Sequence, residues 1–372
     1  MENKEVIIIG GGLAGLTSAI HLSKIGIAVI LIEKNSFPKH KVCGEYISNE
    51  VLPYFNWLNL DIECLYPARI SKLEFSIANG KSIKCALPLG GFGISRYVLD
   101  NYLYEKAVEN GCVFLKQSVN NIFYESNIFT IRTADNNTFY SKMVIGAFGK
   151  RSNIDQTLNR SFMFQKTSWL AVKCHYSGNF PNDLVGLHNF EGGYCVVSKV
   201  ENNIINVCYL ANYETFKKYK NVAIFENNVV IKNPHLKAIF EQSSVIFEKP
   251  ISIGQISFAK KTTVENHIVM IGDTAGLIHP LCGNGMAMAI HSAKIASESI
   301  ADFFDGKYQT RAKFEKEYSK KWNFNFKNRL QIGRLISAVL QKPFLAQFLL
   351  NFLIVFPKML PILIKKTHGK TL

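Results

Sequence analysis

Apolar and polar positions along the 372-residue chain change period several times, and each change predicts an element. Val6 to Ile9 is a short continuous apolar run, as in a strand buried on both faces. The glycines between Gly10 and Gly15 follow it. A helical pattern then runs from about Leu16 to Ile25, stops at Gly26, and gives way to a second strand from Ala28 to Ile32. Together these form one βαβ unit. Arg69 to Ile83 reads as a hairpin with Asn79-Gly80 at its turn. Arg96 to Glu109 reads as a helix closed by Asn110-Gly111, with short alternating strands beyond it as far as Gly146. From about 166 to 260, β-branched and polar residues alternate around Gly-Gly, Asn-Asn and Pro turns, the pattern of an antiparallel sheet. Strand and glycine text returns at His267 to Gly285, a long helix runs from about Met286 to Phe304, and the remainder is helical and increasingly apolar.

Composition adds little to this picture, because 48% hydrophobic and 19% charged residues is ordinary globular usage. Charge adds more. Of the formal +15, residues 311 to 372 hold 13 Lys/Arg against two acids, a net +11, which leaves +4 for the other 310 residues. A near-neutral body with a basic tail predicts an anionic surface met by one end. Eight cysteines without a CxxC or paired spacing exclude a written disulfide framework or zinc site and fit a reducing, cytoplasmic setting; no metal is expected. The N-terminal apolar run is too short for a secretory signal. Phe344 to Phe356 is too short to span a bilayer, though long enough to lie in its surface.

The first glycine cluster, Gly10-x-Gly12-x-x-Gly15, sits after a buried strand and opens a helix, with Glu33 closing the second strand. In that context it is a dinucleotide fingerprint. Gly10 allows the tight turn, Gly12 lets backbone approach a pyrophosphate, and Gly15 lets helix pack on strand. The helix N-terminus offers N–H groups to phosphate, and Glu33 suits ribose hydroxyls while disfavouring a 2′-phosphate, so FAD or NAD is expected rather than NADP. Leu13 and Ala14 within the turn and Lys34 after the acid complete this half of the expected binding set.

A second cluster, IGDTAGLIHPLCGNG, has no use in a nicotinamide dehydrogenase. It resembles the GD motif of FAD-dependent aromatic hydroxylases and geranylgeranyl reductases, in which the Asp meets the flavin ribityl chain and the following turn meets the pyrimidine edge. The resemblance assigns Gly272, Asp273, Gly283, Asn284 and Gly285 to the cofactor. Reduced flavin carries negative charge near that edge, and a helix N-terminus stabilises an anion. GISRYVLD is similar to the family's Arg-bearing helix over the phosphates, which assigns Arg96, although Arg96 and Asp100 also fit a surface pair. KVCGEYIS resembles the segment that passes the flavin in geranylgeranyl reductases and several hydroxylases. It brings Cys43 and Gly44 to the ring, Cys43 being either a reactive thiol or a small buried hydrophobe.

These motifs run in the family's order from 10 to 285. The resemblance implies an α/β fold: a Rossmann-like FAD-binding domain, discontinuous in sequence, with an antiparallel-sheet substrate domain and a C-terminal helical segment. The expected division is FAD-binding parts at 1–68, 96–165 and 263–310, a substrate-domain hairpin at 69–95, the substrate sheet at 166–262 and basic apolar helices at 311–372. The family's third motif, G-A-D-G, reads Gly146-Ala147-Phe148-Gly149 here. Without that carboxylate and without a second fingerprint, NAD(P)H is expected only as a transient electron donor. Tyr194, in EGGYC, is carried over from the reductases' flavin-pocket strand; His175, His188 and His279 are candidate proton donors, His279 the best placed.

The resemblance leaves three functions open. The first, and the one the sequence favours, is a monooxygenase hydroxylating a hydrophobic aromatic or polyketide-type substrate; the alternative is a reductase of C=C bonds in a prenyl or lipid chain. The third is a membrane-associated electron-transfer partner. The tail is read equally well as helices packed on the body or as a peripheral anchor on the inner face of a membrane. A nucleic-acid partner is not expected, since FLAQFLLNFLIVF is no phosphate-tracking surface.

Overall fold

The computed structural model describes residues 4–165 and 167–372, so residue 166, where the substrate sheet was expected to begin, lies outside the described residues. The βαβ unit forms as read. Strand Lys4–Ile9 pairs in parallel with Val29–Glu33, in register Val6 to Val29, and on its other side with Thr138–Gly146, in register Val6 to Met143. Val113–Lys116 and Ile268–Met270 extend this parallel sheet at either end. Val6, Ile7 and Ile8 are fully buried, which explains an apolar run without alternation.

Helix α1 (Leu13–Lys24) covers the sheet beside α2 (Arg96–Glu109) and α3 (Gly285–Phe304). Ser95 caps α2 by accepting from the N–H of Val98, and Gly111 closes it at positive φ, the conformation the Asn-Gly pair predicts.

The second sheet runs 243–245, 169–178, 205–212, 193–199, 184–190, 68–76, 82–93 and 46–48. Its hairpin turns at Gly80 as expected. Tyr46–Ser48 pairs with Gly91–Gly93 of this sheet, so the segment after Cys43 leaves the first layer and joins the second. Alternation decides what each face touches. Val172, Cys174 and Tyr176 face three short helices at 213–242, while Ala171, Lys173 and His175 face the nucleotide-binding layer. Those helices were read as sheet. Asn212, Asn221 and Asn233, which resemble turn residues, each accept a backbone N–H as N-caps.

The tail forms α4 (Arg311–Leu340), α5 (Pro343–Val355) and α6 (Met359–Thr367). Among the described residues no single helix is long and apolar enough to cross a membrane; α4 and α5 meet at 111°. Ala346, Leu350, Leu353, Leu360 and Ile364 bury one face of α5 and α6 against the second sheet and α4.

Candidate functional site

Three glycines of the first turn do different work. A Cβ on Gly15 would lie 2.0 Å from the Gly10 carbonyl oxygen, and one on Gly10, at φ +108°, would lie 2.4 Å from that of Ala147. Both are packing glycines. A Cβ on Gly12 would meet nothing closer than an Arg96 guanidinium nitrogen at 4.0 Å, so Gly12 opens onto the cradle beneath Arg96. Gly12 is also the N-cap of α1 and has no side chain to satisfy its first N–H groups, at Leu13 and Ala14. An open backbone cradle, uncapped donors and a guanidinium overhead suit a pyrophosphate.

Arg96 is no surface pair. It holds the fully buried Asp100 through two hydrogen bonds of 2.7 and 2.8 Å, and Lys41 reaches the same carboxylate at 2.9 Å. Burial alone would raise the Asp100 pKa, but Arg96 and Lys41 override it and hold the carboxyl below its ordinary value. Glu33 is already engaged. It accepts from the Gly11 N–H at 2.7 Å and from the backbone and side chain of Asn35 at 2.9 and 2.6 Å, bracing the turn with lone-pair capacity to spare. Lys34 points to solvent.

The second turn lies on the first. A Cβ on Gly272, at φ +56°, would touch the Ala14 side chain at 3.0 Å. Asp273 is half-buried, and its carbonyl accepts from Lys261 Nζ at 2.8 Å. Lys261, pulled down to about 8 by burial, also bonds the Lys150 carbonyl, and Arg160 bonds the Thr274 carbonyl at 3.0 Å. Lys150, Arg160 and Lys261 thus clamp the GD turn, a role that no local pattern in the sequence signals. Phe148, in the place of the motif Asp, packs against the apolar core. Gly285 starts α3 with no side-chain cap, because Asn284 turns instead to Glu50 (3.0 Å) and Arg329 (3.5 Å). Two uncapped helix starts and the Gly12 cradle together fit an FAD.

Around Cys43 the sequence understated the chemistry. Its thiol accepts from the Glu45 N–H at 3.5 Å, its carbonyl accepts from Asn206 at 3.3 Å, and Gly44 faces Val196. Glu45 is fully buried at φ +54°, a conformation that costs energy for a residue with a Cβ. Its carboxylate accepts from Lys173, from His175 Nε2 at 2.9 Å and from the Arg96 N–H at 2.7 Å. Lys173 and His175 are themselves buried.

Tyr194 and His279 meet. Leu281 N–H donates to the Tyr194 hydroxyl at 3.0 Å, which leaves that hydroxyl's proton for His279 Nδ1 at 2.9 Å; His279 Nε2 then donates to Ser337 Oγ at 2.7 Å. Burial pulls the His279 pKa down to about 3. At neutral pH this imidazole is an uncharged brace tying the flavin turn to the sheet and to α4. His188 is likewise pulled down to about 3 by burial and bonds Ser76 at 2.9 Å.

Beside this brace lies a cavity of about 100 Å³, lined by Pro280 to Gly283, by Leu73, Phe75, Leu187 and Val196 of the second sheet, and by Leu349, Leu353 and Ile364 of the tail. Tyr46 lines it too, with its hydroxyl on the Gly90 carbonyl at 3.2 Å and its ring against Gly283. Burial raises the Tyr46 pKa and pushes the Cys282 thiol up to about 12, so both keep their protons.

Residues 3–312 match a family model described as an FAD binding domain. The digeranylgeranylglycerophospholipid reductase of Methanosarcina acetivorans is 26% identical over 341 residues, covering 86% of this chain and 80% of that one. A digeranylgeranylglycerophospholipid reductase of Methanothermobacter thermautotrophicus is 23% identical over 363 residues, covering 90% and 88%. The fold is similar to a flavin-dependent brominase, with TM-score 0.78, 19% identity and coverage of 98% and 94%. It is also similar to a geranylgeranyl bacteriochlorophyll reductase-like protein of Thermoplasma acidophilum, with TM-score 0.75, 19% identity and coverage of 92% and 88%. With that match over most of its length, the chain belongs to the FAD binding domain family of flavin-dependent oxidoreductases.

Proposed function

We propose that the chain reduces C=C bonds in a long apolar substrate such as a prenyl or lipid chain. One observation carries this reading. The cavity beside the flavin turn is walled by aliphatic side chains, with Tyr46, Cys282, Thr367 and His368 its only polar or ionisable side chains. An aliphatic chain needs no hydrogen bonds to be held there, whereas a phenol or polyketide ring needs polar groups to orient it. The sequence relatives named as phospholipid reductases support the same choice.

The residues divide the work. The Gly12 cradle, Arg96 and the two helix starts would bind FAD, which supplies the hydride when reduced. The aliphatic walls hold the chain and exclude water. Saturating one C=C bond needs a hydride and a proton; Tyr46 and Cys282 stand on the wall at the flavin turn, but burial makes both weaker acids, so neither is assigned as the proton donor. NAD(P)H is proposed as the transient electron source.

Monooxygenation is the second reading, favoured by the likeness to a flavin-dependent brominase and by the apolar lining of the cavity, which disfavours water there. Anaerobic turnover separates the two. Reduced enzyme with an unsaturated prenyl lipid is expected to give the saturated product without O2. Product that forms only after O2 is admitted, with oxygen inserted, overturns the reductase reading and selects the monooxygenase.

A further inference from the structure

The tail's second face is unaccounted for by the cavity. While Ala346, Leu350 and Leu353 of α5 are buried, Phe344, Phe348 and Val355 on its other side are 79%, 66% and 68% exposed, and Phe352 and Phe356 lie between them. α6 continues the patch with Met359 and Ile362. A contiguous apolar face of this kind on a helical hairpin marks an interaction site. Its surroundings say with what. Lys342, Lys358, Lys365 and Lys366 are exposed around it, and no acidic residue occurs between 318 and 372.

We propose that the outer face of α5 and α6 docks on an anionic lipid bilayer, the phenylalanines entering the headgroup boundary and the lysines meeting the headgroups. A second copy of the chain fits the face poorly, since a two-fold contact would set these lysines against one another with no carboxylate from this segment to pair them. Neither helix spans the bilayer; both lie in its surface. The same hairpin walls the cavity with Leu349, Leu353, Leu360 and Ile364, so the docked enzyme offers a lipid chain a short path from bilayer to flavin turn. The docking surface does not depend on which redox reaction the flavin performs.

The test is co-sedimentation of the full FAD-loaded protein with phosphatidylcholine vesicles, with and without phosphatidylglycerol. Two variants are compared: F344S/F348S/F352S, and K342Q/K358Q/K365Q/K366Q. All seven positions are exposed, and retained FAD absorbance with an unchanged melting temperature reports that each variant is folded. Binding to the anionic vesicles alone is expected. It falls steeply as salt rises from about 0.1 to 1 M, where the screening length shrinks from about 10 to 3 Å. Each lysine removed should cost about fivefold in partitioning, equivalent to about 1 kcal/mol near an anionic surface, so the quadruple variant loses at least a hundredfold. No vesicle binding by the unaltered chain, binding that both variants retain, or self-association that the phenylalanine variant abolishes would each overturn the proposal. The anaerobic assay, run in detergent, reports on the reaction independently.

Discussion

Glu45→Gln isolates the buried ion cluster. Glu45 is the carboxylate that the buried Lys173 and His175 donate to, and it also accepts the first N–H of α2. Glutamine keeps the shape but removes the charge, which leaves an ammonium in an interior with no counterion. Breaking a buried pair in this way costs about 3 to 5 kcal/mol. For 372 residues at about 2.1 cal/mol/K each, the unfolding entropy is about 0.8 kcal/mol/K, so the melting temperature should fall by about 4 to 6 °C. Lys173→Met alone should also destabilise, by stranding the carboxylate. The double variant should cost less than the sum of the two singles, because each mutation removes the other's unpaired partner.

The pH dependence adds a sign. Burial would raise the Glu45 pKa, but His175 and Lys173 override it and hold it below the ordinary value. Its contribution in the parent is therefore present above about pH 4.3, the unfolded value, and is lost as pH falls through the lower folded value. In the Gln variant the lysine is left alone. The variant has no carboxyl at this position, so this acid-side loss is absent from it. Circular dichroism melts of parent, two singles and double at three pH values suffice. A Glu45→Gln cost under about 1 kcal/mol, or strict additivity of the two singles, would refute the reasoning.

Gly12→Ala should lower FAD retention at least tenfold with little change in apoprotein stability, because its Cβ enters open space beneath Arg96; Gly15→Ala should destabilise the fold itself, its Cβ lying 2.0 Å from a carbonyl oxygen. Flavin absorbance after gel filtration and apoprotein melts distinguish them. His279 and His188, both pulled down to about 3 by burial, bind fewer protons folded than unfolded between pH 6.5 and 3. Unfolding free energy should therefore decline as pH falls through that window, by several kcal/mol at its lower end, and urea titrations at pH 7, 5 and 4 read this directly. Leu353→Trp, on the cavity wall contributed by α5, should cut turnover of long-chain substrates at least tenfold while leaving flavin content unchanged.

The parts of this protein that were legible in its sequence are those where a residue type answers a local backbone demand. Gly10 and Gly15 have no room for a Cβ, Gly111 needs a positive φ and Ser95 needs only an N–H three residues on, so each announces itself within a few positions. The short helices at 213–242 were hidden because an asparagine that caps a helix and one that turns a hairpin look alike without their neighbours. The Glu45, Lys173 and His175 cluster joins residues 128 and 130 positions apart, and Lys261 reaches Lys150 across 111; nothing local marks such pairs. The tail's composition was plain from the start. Which of its faces covers the cavity and which meets solvent depends on a packing partner that periodicity alone does not name.

The family match ends at residue 312, one position after α4 begins, yet nine of the cavity's lining residues lie between Ile336 and His368. The other eleven lining residues come from positions 46 to 283, so the cavity is closed by two stretches of chain that are joined by packing and by several bonds, among them His279 to Ser337, Tyr318 to the Met270 carbonyl and Arg329 to Glu50. On the proposed reading, exchanging the last three helices between relatives is expected to shift which substrates are accepted while the flavin is still held.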